Sequence, residues 1–292
     1  MLAFDRFFNR FRRCKCTLVW VFGILLLGLA SMASAAAKSV YTLGVVPQFE
    51  QRKLFAIWKP IVDELSQRTG LDIRLEVTLT IPEFETALEK GTFDFVYTNP
   101  YEILWVSGTQ GYVPLVRDQT PVHGILVVRR LSPVKDIHEL QGKTLAIPSP
   151  NALGASLLLR ADLERLYGVH MTMVNVKTHS SVYLHVLNGL TDAGGGVEKT
   201  LSEQAPEIQA GLRVLYKTRP MPSHPIAAHP RIPQEIRERV RKALLEMGRE
   251  PETHALLNKI PMPSPVSAAM ADYQAMRPWG LDAYWVIDES KE

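Results

Sequence analysis

Three short turns carry the residue types best suited to chemistry in this chain. They are Tyr97-Thr98-Asn99-Pro100, Ile147-Pro148-Ser149-Pro150-Asn151 and Thr178-His179-Ser180-Ser181. Each follows an apolar run and leads into a helical pattern. Hydroxyl, amide or imidazole side chains therefore stand beside the unpaired N–H groups of a helix start. The partial positive charge there attracts anions without help from Lys or Arg. One such turn alone is most simply a helix cap. Three of them, divided between two halves of the chain, point to a cleft for a small oxyanion. In open α/β sheets ligands lie beyond the carboxyl ends of the strands, where all three turns fall.

Signatures of catalysis are thin. The chain has no G-x-S-x-G elbow, no H-E-x-x-H, no phosphate-binding G-x-x-x-x-G-K-[ST] and no G-x-G-x-x-G after a strand. Gly194-Gly195-Gly196 lacks dinucleotide spacing and reads as a flexible loop after a short strand. His224 and His229 lie in a proline-rich stretch with no acid or Cys to complete a metal set, so they read as solvated or hinge residues. The expectation is a non-enzyme that needs no cofactor.

The turns must be held by regular elements, and the spacing of apolar residues supplies them. Residues 41–48 (YTLGVVPQ) form a short strand. Residues 53–68 set Leu54, Trp58, Ile61, Val62 and Leu65 at helical spacing, with Gly70 as the stop. A strand over 73–80, a helix over 82–88 and a strand over 93–97 follow. Asn99, Pro100 and Glu102 then make a strong helix start, and residues 112–116 return as a strand. The pattern restarts with a strand over 124–128, a short helix over 132–140 and a strand over 143–147. After these come a long helix over 151–167, a strand over 171–176, a helix over 181–190 and a strand over 212–216. A return rich in Pro and His leads to a last long helix over 233–247. Two β-α units in series predict an α/β protein of two lobes, each an open mixed sheet flanked by helices, with the cleft between them. Trp58 and Trp105 fit apolar helix faces and belong to the core.

At 292 residues, 46% hydrophobic and 22% charged, the chain has ample sequence for a packed core. Its net charge of +3 comes from the first segment. Residues 1–35 hold five basic residues and one acid, so the remainder has 33 − 5 = 28 basic and 30 − 1 = 29 acidic residues. With no basic run, nucleic acid is excluded as a partner. The basic start, the apolar run over 18–30 and the small residues Ala33-Ser34-Ala35 describe a secretory signal peptide cleaved near Ala36. Thirteen apolar residues make a helix of about 20 Å, short of the roughly 30 Å hydrocarbon core. Both cysteines, Cys14 and Cys16, precede that run, so the mature chain uses neither disulfides nor thiolates.

The mature chain resembles the phosphate/phosphite/phosphonate-binding proteins of bacterial ABC transporters, a branch of the type 2 periplasmic binding proteins. The stretches that carry the resemblance are LGVVPQ (43–48), IWKPIVDEL (57–65), FDFVYTNPYEI (93–103), LVVRRLSPVKDIHELQGKTLAI (126–147), THSSVYLHVLNGLTDAG (178–194) and ADYQAMRPWGL (271–281). It spans nearly all of residues 40–285. One departure stands out: where such phosphonate binders carry a Ser-Thr-Ser-like run before the long helix of lobe two, this chain has Ala152-Leu153-Gly154. Backbone donors survive that change, and hydroxyl donors do not.

The resemblance implies an exported, monomeric, periplasmic receptor. It would clamp a small phosphorus oxyanion and hand it to an ABC permease or, alternatively, to a sensor kinase ectodomain; a sulfonate is the runner-up ligand. It also implies that His179 touches the ligand. The other candidates are Gln48, Tyr97, Thr98, Asn99 and Tyr101 in lobe one, with Ser149, Asn151, Ser156, Ser180 and Ser181 in lobe two. The expected boundaries are 36–120 plus 222–292 for lobe one and 121–221 for lobe two.

Overall fold

Parallel neighbours in a sheet need long crossovers, and the helical stretches of this chain provide them. A computed structural model describes residues 39–287, so the signal peptide expected over 1–35 lies outside the described residues. The described strands are, in chain order, β1 (Val40–Val45), β2 (Asp72–Val77), β3 (Phe95–Tyr97), β4 (Val113–Asp118), β5 (Gly124–Arg129), β6 (Thr144–Ile147), β7 (Thr172–Asn175), β8 (Ala193–Val197), β9 (Leu212–Lys217), β10 (Ile226–Ala228) and β11 (Pro265–Ser267). They form a six-stranded sheet in the order β11-β4-β10-β3-β1-β2 and a five-stranded sheet in the order β7-β6-β8-β5-β9. Both are mixed. In the first sheet β1 runs parallel to β2 and β3, while β10 is antiparallel to β3 and β4. In the second, β6 runs parallel to β7 and β8, while β5 is antiparallel to β8 and β9.

The helix Gln51–Thr69 buries Leu54, Ile57, Trp58, Ile61, Val62 and Leu65 against the first sheet and ends at Gly70, whose φ of 68° favours glycine. In the second sheet both faces are covered. Leu126 and Val128 enter one core and Ile125 and Val127 the other, the period of two expected of a strand. The chain passes between the sheets twice, and the two passages pair: Val122 and Met221 exchange backbone hydrogen bonds of 2.9 Å. After the second passage, the helix Gln234–Met247 buries Val240, Ala243, Leu244 and Met247 in the first core. Among the described residues no helix is long and apolar enough to cross a membrane.

Five elements differ from the expectations. Residues 194–196 lie in the interior of strand β8, not in a flexible loop. A Cβ on Gly195 would stand 1.9 Å from the Ala155 carbonyl oxygen, and one on Gly196 would stand 2.2 Å from the Tyr183 hydroxyl. Glycine is needed there because helices press directly on the strand. The proline-rich return contains β10, and β11 follows it; both are only three residues long and carry too few residues for a period. The short helix expected over 132–140 shrinks to a 3-10 turn at Ile137–Leu140. The long helix begins with a wide π turn, Leu153–Leu157, before the regular Leu158–Tyr167.

Candidate functional site

Strand pairing brings the loops of the site together. Tyr97, the last residue of β3, pairs with Ile226, the first of β10, so the residues after Tyr97 and those before Ile226 emerge side by side. The Thr98 N–H donates to the Pro225 carbonyl, and this sets His224 beside Asn99. In the second sheet Ile147 pairs with Asn175, so the turn after β6 and the helix His179–Leu187 share the facing edge. The His179 N–H donates across to the Gln48 carbonyl at 3.3 Å.

Between these edges lies a cavity of about 30 Å³ bordered by Gln48, Asn99, Glu102, His179 and His224, by the helix start Leu153–Ala155, and by apolar Val46, Ile81, Val122, Val197 and Met221. No Lys or Arg lines it. Leu153, Gly154 and Ala155 open a helix whose N-cap, Ala152, offers no side-chain acceptor. Their N–H groups therefore lack intrahelical partners. Gly124 and Gly195 let this helix start sit directly on the sheet: a Cβ on Gly124 would stand 2.2 Å from the Gly154 oxygen.

Asn99 uses its Oδ1 to cap the Tyr101 and Glu102 N–H groups at 2.9 and 3.0 Å, which leaves its amide donors uncommitted. Glu102 is 1% exposed; its Oε2 accepts from the Thr98 hydroxyl and its Oε1 has no partner. Burial, and then the nearby Glu85 carboxylate, hold its pKa well above the usual carboxylate range. It is thus a neutral acid that can donate into the cavity. Burial, and then the proximity of His224, push His179 down to about 3; burial alone pushes His224 down to about 4. Both imidazoles are neutral at pH 7. The His179 Nδ1 lies 3.3 Å from the Thr200 hydroxyl, itself 2.7 Å from the Tyr183 hydroxyl. A second cavity of about 20 Å³ shares Gln48, Val122, Val197 and His224 with the first.

Of the sequence candidates, Gln48, Asn99 and His179 border the cavity. The others do not, and all but Ser180 have another use. Tyr97 stacks between Trp58, at 4.7 Å, and His224, at 5.4 Å. Its phenol is pushed up by burial and then by Asp118. Thr98 serves Glu102. The Tyr101 hydroxyl donates to Asp282 at 2.6 Å. The Ser156 hydroxyl donates to the Ser149 carbonyl, closing the wide turn. Ser149 and Asn151 reach across to Glu85, and Asn151 also donates to the Val286 carbonyl at 2.9 Å. The helix of His179 is capped by Thr178, whose Oγ1 accepts from the Ser181 N–H and whose hydroxyl donates to Ser181 Oγ; no bond from the Ser180 hydroxyl reaches the cavity. His224, expected from sequence to be a solvated or hinge residue, is not solvated: it is 7% exposed and borders the cavity, and its burial follows from the β3–β10 pairing, a contact between distant residues. Trp58 is fully buried as expected, while Trp105 is half-buried and stacks on Trp285 at 4.5 Å. Among the described residues no group of His, Cys, Asp or Glu is arranged to hold a metal ion.

Two mixed sheets flanked by helices, with a small cavity of mostly apolar lining and a few polar side chains, define a type 2 periplasmic binding protein fold. The chain matches the family model of the periplasmic phosphonate substrate-binding proteins of ABC transporters over residues 43–273, and it belongs to that family. The family is periplasmic and non-enzymatic. Among solved structures, the chain is similar to the binding-protein component of an ABC phosphonate transporter from Pseudomonas aeruginosa. Identity is 14%, the TM-score is 0.76, and 85% of this chain and 90% of that one are covered. It is also similar to PhnD1 from Prochlorococcus marinus in complex with methylphosphonate, with 14% identity, a TM-score of 0.75 and coverage of 85% and 99%. A third similar structure is XAC2383 from Xanthomonas citri bound to chloride ion, with 18% identity, a TM-score of 0.68 and coverage of 84% and 98%.

Proposed function

We propose that this chain is an exported receptor that captures a small phosphorus oxyanion, a phosphonate, phosphite or phosphate, between its two lobes and delivers it to an ABC permease. In this reading the lobes comprise residues 36–120 plus 222–292 and residues 121–221, and the segment 1–35 is removed on export. The observation that carries the reading is the donor set around the cavity. The start of a helix, the Asn99 amide, two imidazoles held neutral by burial and the Glu102 carboxyl belong to residues that border one small space. A desolvated anion is tolerated only when its oxygens are well hydrogen-bonded, and a site without cations must do this with dipoles. Membership of the phosphonate substrate-binding family over residues 43–273 supports the choice of phosphorus over other oxyanions.

A thermal-shift screen against phosphate, phosphite, methylphosphonate, 2-aminoethylphosphonate, sulfate and taurine tests the reading. A ligand at a hundred times its Kd adds about 2.7 kcal/mol of stability, a shift of several degrees. At least one phosphorus oxyanion is expected to stabilise the protein more than sulfate or taurine. Stabilisation by taurine or sulfate alone would reassign the ligand.

A further inference from the structure

His224 has one nitrogen committed and one bare. Its Nε2 lies 3.5 Å from the Gln48 amide nitrogen. With the Gln48 side chain oriented so that its amide nitrogen faces the ring, that nitrogen donates, Nε2 accepts, and the proton of the neutral imidazole is assigned to Nδ1. That Nδ1 is buried and has no partner. The ring is held in place by stacking on Tyr97, at 5.4 Å with 21° between the planes. A buried N–H without an acceptor is costly, and folded interiors rarely keep one. Glu102, which borders the same cavity, also has a buried atom without a partner, Oε1. His224 and Glu102 border this space from the first sheet's edge, and His179 borders it from the second.

Resting on the reading that this cavity takes a phosphorus oxyanion, we propose that His224 is a ligand-binding residue whose Nδ1–H donates to an oxygen of the bound anion, opposite His179. The tautomer has a consequence for specificity. A neutral ring with Nε2 engaged by Gln48 offers a donor and no acceptor, so it selects an oxygen at this position and gives no purchase to an ammonium group. A phosphonate oxygen, not a cationic substituent, then faces His224.

The test is calorimetry with methylphosphonate on the full mature chain as wild type, His224→Phe and His224→Gln. Phenylalanine keeps an aromatic ring for the stack on Tyr97 and removes the Nδ1–H donor together with the Nε2 acceptor that faces Gln48, so the glutamine variant serves as the control for the lost acceptor. Phenylalanine is expected to weaken binding about 10- to 150-fold, the range for a lost bond to a charged acceptor, and glutamine, which can donate, to recover part of that loss. Binding by His224→Phe as tight as wild type overturns the proposal while leaving the proposed function standing. No binding of methylphosphonate, phosphite or phosphate by the wild type overturns both. A measurement needing no variant is the ¹⁵N spectrum of the His224 ring. Protonated Nδ1 whose resonance moves on adding methylphosphonate supports the role; an Nδ1 that is unprotonated, or unmoved at saturation, overturns it.

Discussion

Acidification of the ligand-free protein should report directly on the two buried imidazoles. His179 and His224 are held neutral down to about 3 and about 4, by burial first and, for His179, by the neighbouring His224 as well. In the unfolded chain both take up a proton near pH 6.5. Below that pH the unfolded state binds more protons than the folded one, so stability is lost as pH falls and is fully present above about 6.5. Each histidine contributes a slope of about 1.4 kcal/mol per pH unit until its folded pKa is reached. Between pH 6.5 and pH 4 His224 alone therefore accounts for about 3 kcal/mol, an upper figure because parting of the lobes would admit water to the ring. Glu102 acts in the opposite sense above its ordinary range, since its raised pKa makes the folded state the better proton binder. Comparison with His224→Phe removes that contribution, which both proteins share. Urea unfolding of wild type and His224→Phe at pH 7, 6, 5 and 4 should show the variant losing about 2–3 kcal/mol less than wild type over the interval. Parallel stability curves would refute the placement of a neutral, buried imidazole at residue 224.

Two further outcomes follow from the same geometry. His179→Ala should weaken binding of the best screened anion about 10- to 150-fold by calorimetry, while Ser202→Ala, whose exposed hydroxyl serves only the Lys199 carbonyl, should bind as wild type does; equal affinities in the two would make His179 structural. Gly195→Ala sets a Cβ against the Ala155 carbonyl oxygen and should destabilise the fold by about 2–3 kcal/mol while displacing the helix start that borders the cavity. Denaturant unfolding and anion affinity should therefore fall together, and an unchanged stability would show that the helix does not sit on β8.

Much of the fold is legible in the sequence because its signals are local. Leu54, Trp58, Ile61 and Leu65 repeat at helical spacing, Gly70 ends that helix, and Asn99 with Pro100 starts a later one. The elements that escape are those whose cause is distant in sequence. Strand β8 is written in glycines because the Leu153–Leu157 turn and Tyr183 lie against it, and no pattern within residues 193–197 reveals that pressure. β10 is three residues bounded by prolines and histidines, and only its pairing with β3 and β4 makes it a strand.

The same division explains the site. Strand-to-helix turns are local and legible in the sequence, which offers hydroxyls, an amide and one imidazole there beside the helix dipoles. In the structure the Ser156, Thr98 and Thr178 hydroxyls are consumed by local bonds that hold the turns in shape, Ser181 Oγ accepts from Thr178, and the Ser149 hydroxyl reaches across to Glu85. A hydroxyl next to backbone groups finds a partner at once, whereas an imidazole or a capped amide keeps a donor free only if the surroundings offer it no acceptor. Asn99 keeps its amide donors because its oxygen does the capping, and His224 keeps its Nδ1–H because Gln48 occupies the other nitrogen. The Ala152-Leu153-Gly154 departure fits this economy: with hydroxyls absent, the N–H groups of the helix start have no side-chain competitor for the anion. Selectivity in this site then rests on where unspent donors remain, which a sequence discloses only after its distant contacts are known.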